Sequence, residues 1–346
     1  CFFQYSEVLV YFFAYLFIAF LDNQKGLVMT TKPTVLVTRT LPEAVEDRLK
    51  QDYDVRLNPD DALYSPDELI ELAQEIDAIL PCHTEHFTPD VVQRLPDSVK
   101  IVANFSVGVD HCDLEAFRKR GIIVTNTPDV LSDATAEIAI LLMLGAARRA
   151  GEGERMMRDG SWLDWSPAFM VGSAITGKRL GIIGMGRVGQ IVAKRARGFE
   201  MEIHYCNRNR LAETNEQGAI YHDAIEDLLP VSDVLSVNCP ASPETANLLS
   251  AERIARLPDG AIIVNTARGA LVDESALVDA LRSGKISSAG LDVYRTEPGG
   301  NREIAALPNT FLWPHIGSAN METRDAMGFR ALDNLDAYFE FKRNTR

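Results

Sequence analysis

A glycine-rich turn between an apolar strand and a helix constrains the fold of this chain more than any other feature. Residues 180–183 read LGII and run directly into GMGRVG, which is followed by a helical pattern over Gln190–Arg197. In a βαβ unit Gly184 makes the tight turn, Gly186 admits a pyrophosphate, and Gly189 lets helix and strand pack closely. The helix N-terminus offers free N–H groups to the anion. The pattern therefore predicts a dinucleotide-binding site on a parallel sheet.

The rest of the chain alternates between short apolar runs and helical segments, in two successive series. The first series has strands predicted at Val35–Val37, Ile76–Leu80, Ile101–Phe105 and Ile122–Val124. The second has strands predicted at Arg179–Ile183, Glu202–Cys206, Val234–Asn238, Ala261–Asn265 and Ser288–Val293. Such alternation is typical of parallel strands joined by crossover helices. We therefore expect an α/β protein with two doubly wound, Rossmann-like parallel sheets.

Turn and cap residues predict where several helices begin and end. Helical segments are expected at Pro66–Gln74 and Asp113–Arg120, the latter ended by a glycine. Ser132 and Asp133 are expected to cap a long apolar helix, because short polar side chains accept hydrogen bonds from the first turn. The stretch Gly151–Gly177 is expected to be irregular.

The order of these elements predicts a discontinuous first domain. The helical pattern over Met321–Phe341 has no strand nearby in sequence, so we expect it to pack back on the first series of strands. The predicted boundaries are 30–128 with 318–346 for a substrate-binding domain, and 129–317 for a dinucleotide-binding domain.

The first 29 residues do not follow the alternating pattern. The chain begins with Cys1, and Val8–Leu21 is a continuous apolar run of 14 residues, fewer than the roughly 20 that span a bilayer as a helix. No basic residue precedes the run, which argues against a signal peptide. We expect residues 1–29 to lie outside the fold, with translation naturally starting at Met29; a membrane anchor is the alternative.

Charge and cysteine usage limit the classes of partner. The chain carries 35 Lys and Arg against 49 Asp and Glu, a net charge of -14, which disfavours nucleic acid and membrane surfaces. Its five cysteines include no CxxC pair, which disfavours a disulfide framework or zinc site and favours the reducing cytoplasm. His83 and His86 share a loop without a third ligand nearby in sequence, so no metal site is expected.

The turn after the second strand of the dinucleotide unit bears on the choice of cofactor. NAD-selective sites place an acid about 20 residues after the glycine loop to bind the ribose hydroxyls. Here the strand ends in Asn207-Arg208-Asn209-Arg210, with no acid and two guanidinium groups. Asn207 can hydrogen-bond the ribose and Arg208 can hold a 2′-phosphate, which favours NADP. A solvated basic turn that leaves the cofactor undecided, NAD included, is the alternative.

Three further motifs, each after an apolar strand, supply one residue type each for carbonyl reduction. Arg268 lies in NTARG, Glu297 follows GLDV, and His315 lies in WPHIG. An arginine grips a carboxylate, and a histidine exchanges a proton near neutral pH. A carboxylate beside that histidine orients it and favours its protonated form. The set predicts hydride transfer to a 2-keto acid.

Taken together, these motifs resemble the D-isomer-specific 2-hydroxyacid dehydrogenases. The resemblance rests on VGVDH at Val107–His111, GMGRVG, TARG, GLDV, TEP and PHIGSA, in that order. It implies that Arg268, Glu297 and His315 are catalytic. It also implies that the substrate carboxylate is bound by Arg268 and the backbone amides of Val107 and Gly108, and that Asp292 contacts the nicotinamide carboxamide. The implied cofactor contacts are Gly184, Gly186, Arg187, Val188, Gly189, Asn207, Arg208, Cys239, Pro240, Thr245, Thr266, Ala267, Asp292 and Gly317.

Within that family, HYCNRNR and WLDWSP resemble glyoxylate/hydroxypyruvate reductases. The expected reaction is reduction of glyoxylate or hydroxypyruvate to glycolate or D-glycerate, with NADPH preferred. A homodimer built through the dinucleotide domains is expected, with a contribution from the apolar helix at Ala134–Ala147. One alternative is an NAD-dependent dehydrogenase of the D-3-phosphoglycerate or D-lactate type. A dinucleotide-sensing, corepressor-like binding protein is a second alternative, disfavoured by Asn207 in place of an acid.

Overall fold

The computed structural model describes residues 32–344, which fold into two units that each contain one parallel sheet. One unit takes the chain up to Val130 and resumes at Asn320, and the other comprises Leu131–Ala319. The expected α/β class with two parallel sheets is confirmed. The predicted extension at residues 1–29 lies outside the described residues. Within them, no helix combines the length and the apolar character that a membrane span requires.

The first unit contains a five-stranded parallel sheet in the order β2-β1-β3-β4-β5. Its strands are β1 Thr34–Val37, β2 Asp54–Arg56, β3 Ala78–Leu80, β4 Ile101–Ala103 and β5 Ile123–Thr125. Its first helices are α1 Glu43–Asp52, α2 Pro66–Leu72, α3 Pro89–Arg94 and α4 Leu114–Arg120. Local capping explains these boundaries: the Ser65 side chain forms a capping box with Glu68, and Gly121 ends α4 at φ +66°, as predicted.

The second unit contains a seven-stranded parallel sheet in the order β12-β11-β10-β9-β6-β7-β8. Its strands are β6 Arg179–Ile183, β7 Glu202–Cys206, β8 Ile220–His222, β9 Val234–Val237, β10 Ala261–Asn265, β11 Ile286–Leu291 and β12 Thr310–Leu312. Its helices are α5 Ser132–Ala147, α6 Ala150–Asp159, α7 Arg187–Ala196, α8 Glu213–Glu216, α9 Ile225–Leu228, α10 Ala251–Arg256, α11 Glu274–Ser283 and α12 Arg302–Ala305. The last helix, α13 at Met321–Asn344, belongs to the first unit.

The larger sheet is buried on both faces. Successive residues of its central strands belong to two separate cores: Ile182 and Ile262 pack in one, and Ile183 and Ile263 in the other. Side chains alternate between the faces of a strand, so a strand covered on both sides is apolar throughout. This explains why the central strands were visible in the sequence as continuous apolar runs.

The strand order reverses direction beside β6. From β6 the chain proceeds outward through β7 and β8, and then crosses to β9 on the other side. In open parallel sheets, ligands bind outside the carboxyl ends of the strands at such a switch point. The glycine turn, which follows Ile183 at the end of β6, lies there.

Three edge strands were missed by the sequence analysis, namely β2, β8 and β12. Each has three residues, and none of them is buried except the first residue of β12. A half-exposed edge strand needs no continuous apolar run, so its sequence resembles a loop.

Two local expectations about helices were wrong. The long apolar helix begins at Ser132, with Leu131 at the capping position, so neither Ser132 nor Asp133 caps it. The carboxylate of Asp133 pairs instead with Arg195, at 2.8 Å. The first part of the stretch expected to be irregular forms helix α6, whose two glycines lower its apparent helix propensity.

Candidate active site

The glycine turn after β6 has the backbone geometry that a phosphate-binding loop requires. Gly184 has φ +90°, and a Cβ there would lie 2.6 Å from the backbone nitrogen of Cys239. A Cβ on Gly189 would lie 2.5 Å from the carbonyl oxygen of Gly184. Any larger residue at either position would push the turn away from its neighbours, so these two glycines hold the loop against the sheet.

Gly186 faces open space instead. Apart from Gly186 itself and its two chain neighbours, no heavy atom of the described residues lies within 4 Å of the place that its Cβ would occupy. Helix α7 begins at the next residue, Arg187, and its capping residue is Gly186, which has no side chain to cap the first turn. A helix N-terminus carries N–H groups without intrahelical partners and is therefore suited to bind an anion. Arg187 is exposed there, whereas Val188 packs against the core.

The turn after β7 carries Asn207 and the two arginines that the sequence analysis considered for cofactor binding. The amide oxygen of Asn207 accepts the N–H of Met185 at 2.6 Å, which ties this turn to the glycine loop. Arg208 is exposed beside it. Arg210 forms a bidentate ion pair with Glu216, with nitrogen–oxygen distances of 2.7 and 3.0 Å. The expectation that both guanidinium groups are available is thus wrong for Arg210.

Opposite that turn, the loop after β9 is held by its own hydrogen bonds. The Thr245 hydroxyl accepts the N–H of Ser242 at 2.7 Å and lies 3.1 Å from the carbonyl oxygen of Pro240. Cys239 is partly exposed, and burial raises the pKa of its thiol to about 11. The thiol therefore stays protonated at neutral pH.

Two buried polar atoms at the ends of neighbouring strands have no protein partner within residues 32–344. They are Oδ1 of Asn238, just after β9, and Oγ1 of Thr266, just after β10. A buried polar group without a hydrogen bond costs about 1–3 kcal/mol, so such atoms indicate a ligand that supplies the bond. Together with the open glycine loop, they fit a bound dinucleotide.

The turn that carries Arg268 is shaped by the side chain of Asn265, the last residue of β10. Its amide oxygen accepts the N–H of Ala267 at 3.0 Å, and its amide nitrogen donates to the carbonyl oxygen of Arg268 at 2.9 Å. Asn265 is 1% exposed, so a buried amide fixes the turn from beneath. Ala267 packs against the core beside it.

Glu297 and His315 form a hydrogen-bonded pair. Oε2 of Glu297 lies 2.5 Å from Nδ1 of His315. The other carboxylate oxygen accepts the N–H of Tyr294 at 2.7 Å. Both side chains keep about a quarter of their surface exposed, so the histidine remains accessible. The structure thus joins two of the three predicted catalytic residues directly.

Asp292 holds the turn that follows His315. It is 1% exposed, and its Oδ1 accepts the N–H of Ile316 at 2.8 Å. Burial raises the pKa of this carboxyl, opposed by the N–H groups of Ile316 and Gly317. A Cβ on Gly317 would lie 3.0 Å from its Oδ2. His315 has φ +53°, an uncommon backbone conformation that this carboxylate supports.

Sequence reasoning missed Tyr294, which lies among these segments. Its hydroxyl lies 3.0 Å from the carbonyl oxygen of Trp313 and 3.2 Å from that of Leu291. A Cβ on Gly269, the residue after Arg268, would overlap the backbone carbonyl of Tyr294. The glycine of the TARG motif was the one signal in the sequence that pointed to this close contact.

Val107 and Gly108 belong to the other unit, in the loop after β4. The carbonyl oxygen of Val107 accepts a hydrogen bond from Asn126 at 2.8 Å, and that of Gly108 accepts one from Ser106 at 2.7 Å. Their carbonyl oxygens are thereby fixed by side chains of the same unit, which holds the shape of the loop.

A seven-stranded parallel sheet with this glycine loop, and with a histidine–glutamate pair at the ends of its strands, defines a nicotinamide dinucleotide-dependent oxidoreductase. Residues 140–317 match the family profile described as "D-isomer specific 2-hydroxyacid dehydrogenase, NAD binding domain". The chain belongs to the D-isomer specific 2-hydroxyacid dehydrogenase family.

Relatives with an assigned activity match this chain over 89% of its length. The chain is 46% identical to a glycerate dehydrogenase of Hyphomicrobium methylovorum, over 89% of this chain and 97% of that protein. It is 41% identical to a glyoxylate reductase of Pyrococcus horikoshii, over 89% and 93%. Among solved structures, an NADPH-dependent glyoxylate/hydroxypyruvate reductase of Sinorhizobium meliloti, in complex with NADP and malonate, is 31% identical with a TM-score of 0.79, covering 89% of this chain and 94% of that one.

Proposed function

We propose that this enzyme reduces glyoxylate and hydroxypyruvate to glycolate and D-glycerate, with NADPH as the preferred cofactor. The observation that carries the proposal is the 2.5 Å pair of Glu297 and His315, with Arg268 after the adjacent strand. The names of the relatives support the substrate class.

The proposed roles follow from the chemistry of each side chain. The guanidinium of Arg268 binds the substrate carboxylate, together with the backbone N–H groups of Val107 and Gly108. His315 donates a proton to the carbonyl oxygen as negative charge develops on it, and in the reverse direction accepts it as a base. Glu297 orients the imidazole and stabilises its protonated form. The bound dinucleotide supplies the hydride to the carbonyl carbon.

The proposed preference for NADPH rests on the turn after β7. Asn207 stands where an NAD-selective acid is expected, and its amide oxygen is engaged by the glycine loop. Arg208, exposed beside it, would form charge-assisted hydrogen bonds with a 2′-phosphate. The other proposed contacts come after the carboxyl ends of β6, β9, β10 and β12 in the chain, and they are Arg187, Cys239, Pro240, Thr245, Thr266 and Gly317.

We further propose a cytoplasmic homodimer built through the second unit. Helix α5, expected to contribute, buries Ala139 and Leu142 against its own sheet. The segment after it exposes large apolar side chains, an arrangement that favours burial in a partner. They include Met157 at 64%, Leu163 at 90%, Trp165 at 68% and Val171 at 63%.

A substrate panel tests the function. Oxidation of NADPH and of NADH is followed with glyoxylate, hydroxypyruvate, pyruvate and 3-phosphohydroxypyruvate. We expect the highest kcat/KM for the first two, with NADPH. Preference for either of the last two would identify the lactate or phosphoglycerate type instead. Binding of dinucleotide without turnover of any keto acid would favour the sensing protein.

A further inference from the structure

The three proposed catalytic residues come from three separate segments of the chain, each following a different strand. Arg268 follows β10, Glu297 follows β11 and His315 follows β12. Proton transfer requires heavy atoms at hydrogen-bond distance, and small displacements reduce the rate. Some contact must therefore fix these segments against one another.

Tyr294 contacts all three segments. Its backbone N–H donates to Oε1 of Glu297 at 2.7 Å, which leaves Oε2 directed at His315. Its backbone carbonyl is so close to Gly269, next to Arg268, that no side chain fits between them. Its hydroxyl lies 3.0 Å from the carbonyl oxygen of Trp313, two residues before His315.

We propose that Tyr294 is a positioning residue, whose hydroxyl holds the segment carrying His315 in register with Glu297. This inference rests on the proposed function, because it assumes that the pair acts in proton transfer. The hydroxyl is suited to the task because it is an obligatory donor at every working pH: burial raises the pKa of the phenol well above its usual value. The same proton is shared with the carbonyl oxygen of Leu291, at the end of β11, so one group links two strand ends.

The role of the Tyr294 hydroxyl can be tested separately from the packing of its ring. The Tyr294 side chain is partly buried and packs against the hydrophobic core of the second unit, and Phe at this position would keep that packing. The backbone N–H to Glu297 would also remain. Tyr294→Phe therefore removes only the contacts of the hydroxyl with the carbonyl oxygens of Trp313 and Leu291, and its effect isolates the hydroxyl.

The experiment compares Tyr294→Phe with the wild type in kcat, KM and the pH profile of reduction, and in the low-field proton resonance of the Glu297–His315 hydrogen bond. That resonance is assigned by its absence in His315→Gln. We expect kcat to fall about tenfold, a KM for the dinucleotide within about twofold of wild type, and an upfield shift or broadening of the resonance. If Tyr294→Phe keeps the wild-type kcat, pH profile and resonance, the proposal is overturned.

Tyr53→Phe is the matched control. Tyr53 is a buried tyrosine of the first unit whose hydroxyl donates to Asp336 at 2.5 Å, so its replacement also removes one buried hydrogen bond. We expect a lower Tm and unchanged kcat, pH profile and resonance. An equal loss of kcat in both variants would reduce the role of Tyr294 to general stability and overturn the proposal.

Two further outcomes are distinguishable. If the wild type turns over no keto acid, the proposed function fails, but the resonance still reports whether Tyr294 orders the pair. If Tyr294→Phe does not fold, Tyr294→p-aminophenylalanine carries the test, because it keeps the ring and a weaker donor. We then expect a kcat below that of the wild type and a shifted resonance, and wild-type values in both would contradict the proposal.

Discussion

The second unit holds its proposed functional side chains in two different ways at two places on one sheet edge. At the ends of β10 to β12, Glu297 and His315 are bonded to each other and keep about a quarter of their surface exposed. At the end of β7, Arg208 is an exposed side chain on a turn. Proton transfer needs fixed distances, whereas attraction of a phosphate needs a positive charge within reach. We therefore expect substitutions at the first place to lower kcat, and those at the second to change the choice of cofactor.

The largest effect is expected from His315→Gln. Removal of the proton donor should lower kcat by about 10²–10⁴-fold, the usual contribution of general acid catalysis. Binding of NADPH, followed by its fluorescence, should remain near the wild-type value. A kcat within threefold of wild type would show that another group donates the proton.

The next effect is expected from Glu297→Gln. This change removes the negative charge beside the imidazole, and hydrogen bonds to charged groups contribute about 1.5–3 kcal/mol. We expect kcat to fall roughly 10–150-fold. Glu274→Gln is the matched control, because Glu274 accepts the N–H of Arg295 at 2.8 Å in the same loop without contacting the imidazole. An equal fall in kcat in both variants would contradict the pairing.

A smaller and more selective effect is expected at the end of β7. Arg208→Ala should lower kcat/KM for NADPH about 10–100-fold and leave that for NADH within about threefold, because only NADPH carries the 2′-phosphate. Arg210→Ala removes the same charge from the same turn, yet the Arg210 guanidinium is bound to Glu216. We expect it to change the ratio of the two cofactors by less than threefold. Equal effects of the two substitutions would show that the preference for NADPH reflects the positive charge of the turn as a whole and not a specific contact of Arg208.

The sequence predicted the central part of the fold well because burial on both sides leaves a strong pattern. All five strands from Arg179 to Leu291 that were expected lie at or within two residues of their predicted bounds. The edge strands β2, β8 and β12 were not predicted, because exposed strand edges do not require apolar residues. The start of α5 was misplaced for a different reason: Asp133 contacts Arg195, a residue distant in sequence.

In the candidate site, too, features set by neighbouring residues could be predicted, and contacts between residues distant in sequence could not. The glycine turn could be interpreted from its own motif, and the Glu297–His315 pair could be expected from chemical type and strand order. The ion pair of Arg210 with Glu216 could not be predicted, since a sequence does not show which carboxylate an arginine meets in the fold. Tyr294 was missed because its contacts are made largely by backbone atoms of other segments.

The smallest effect is expected from loss of the ion pair between Arg210 and Glu216. The hydrogen bonds from Arg210, and then that from Tyr205, lower the pKa of Glu216 from 4.5 to about 2. A carboxyl whose pKa is lower in the folded state stabilises the fold above the unfolded value and loses that contribution as pH falls. The Tm difference between wild type and Glu216→Gln should therefore be largest above about pH 5 and shrink from there towards pH 2. A Tm difference that is constant over this range would show that Glu216 acts through packing, and it would contradict a stabilising ion pair with Arg210.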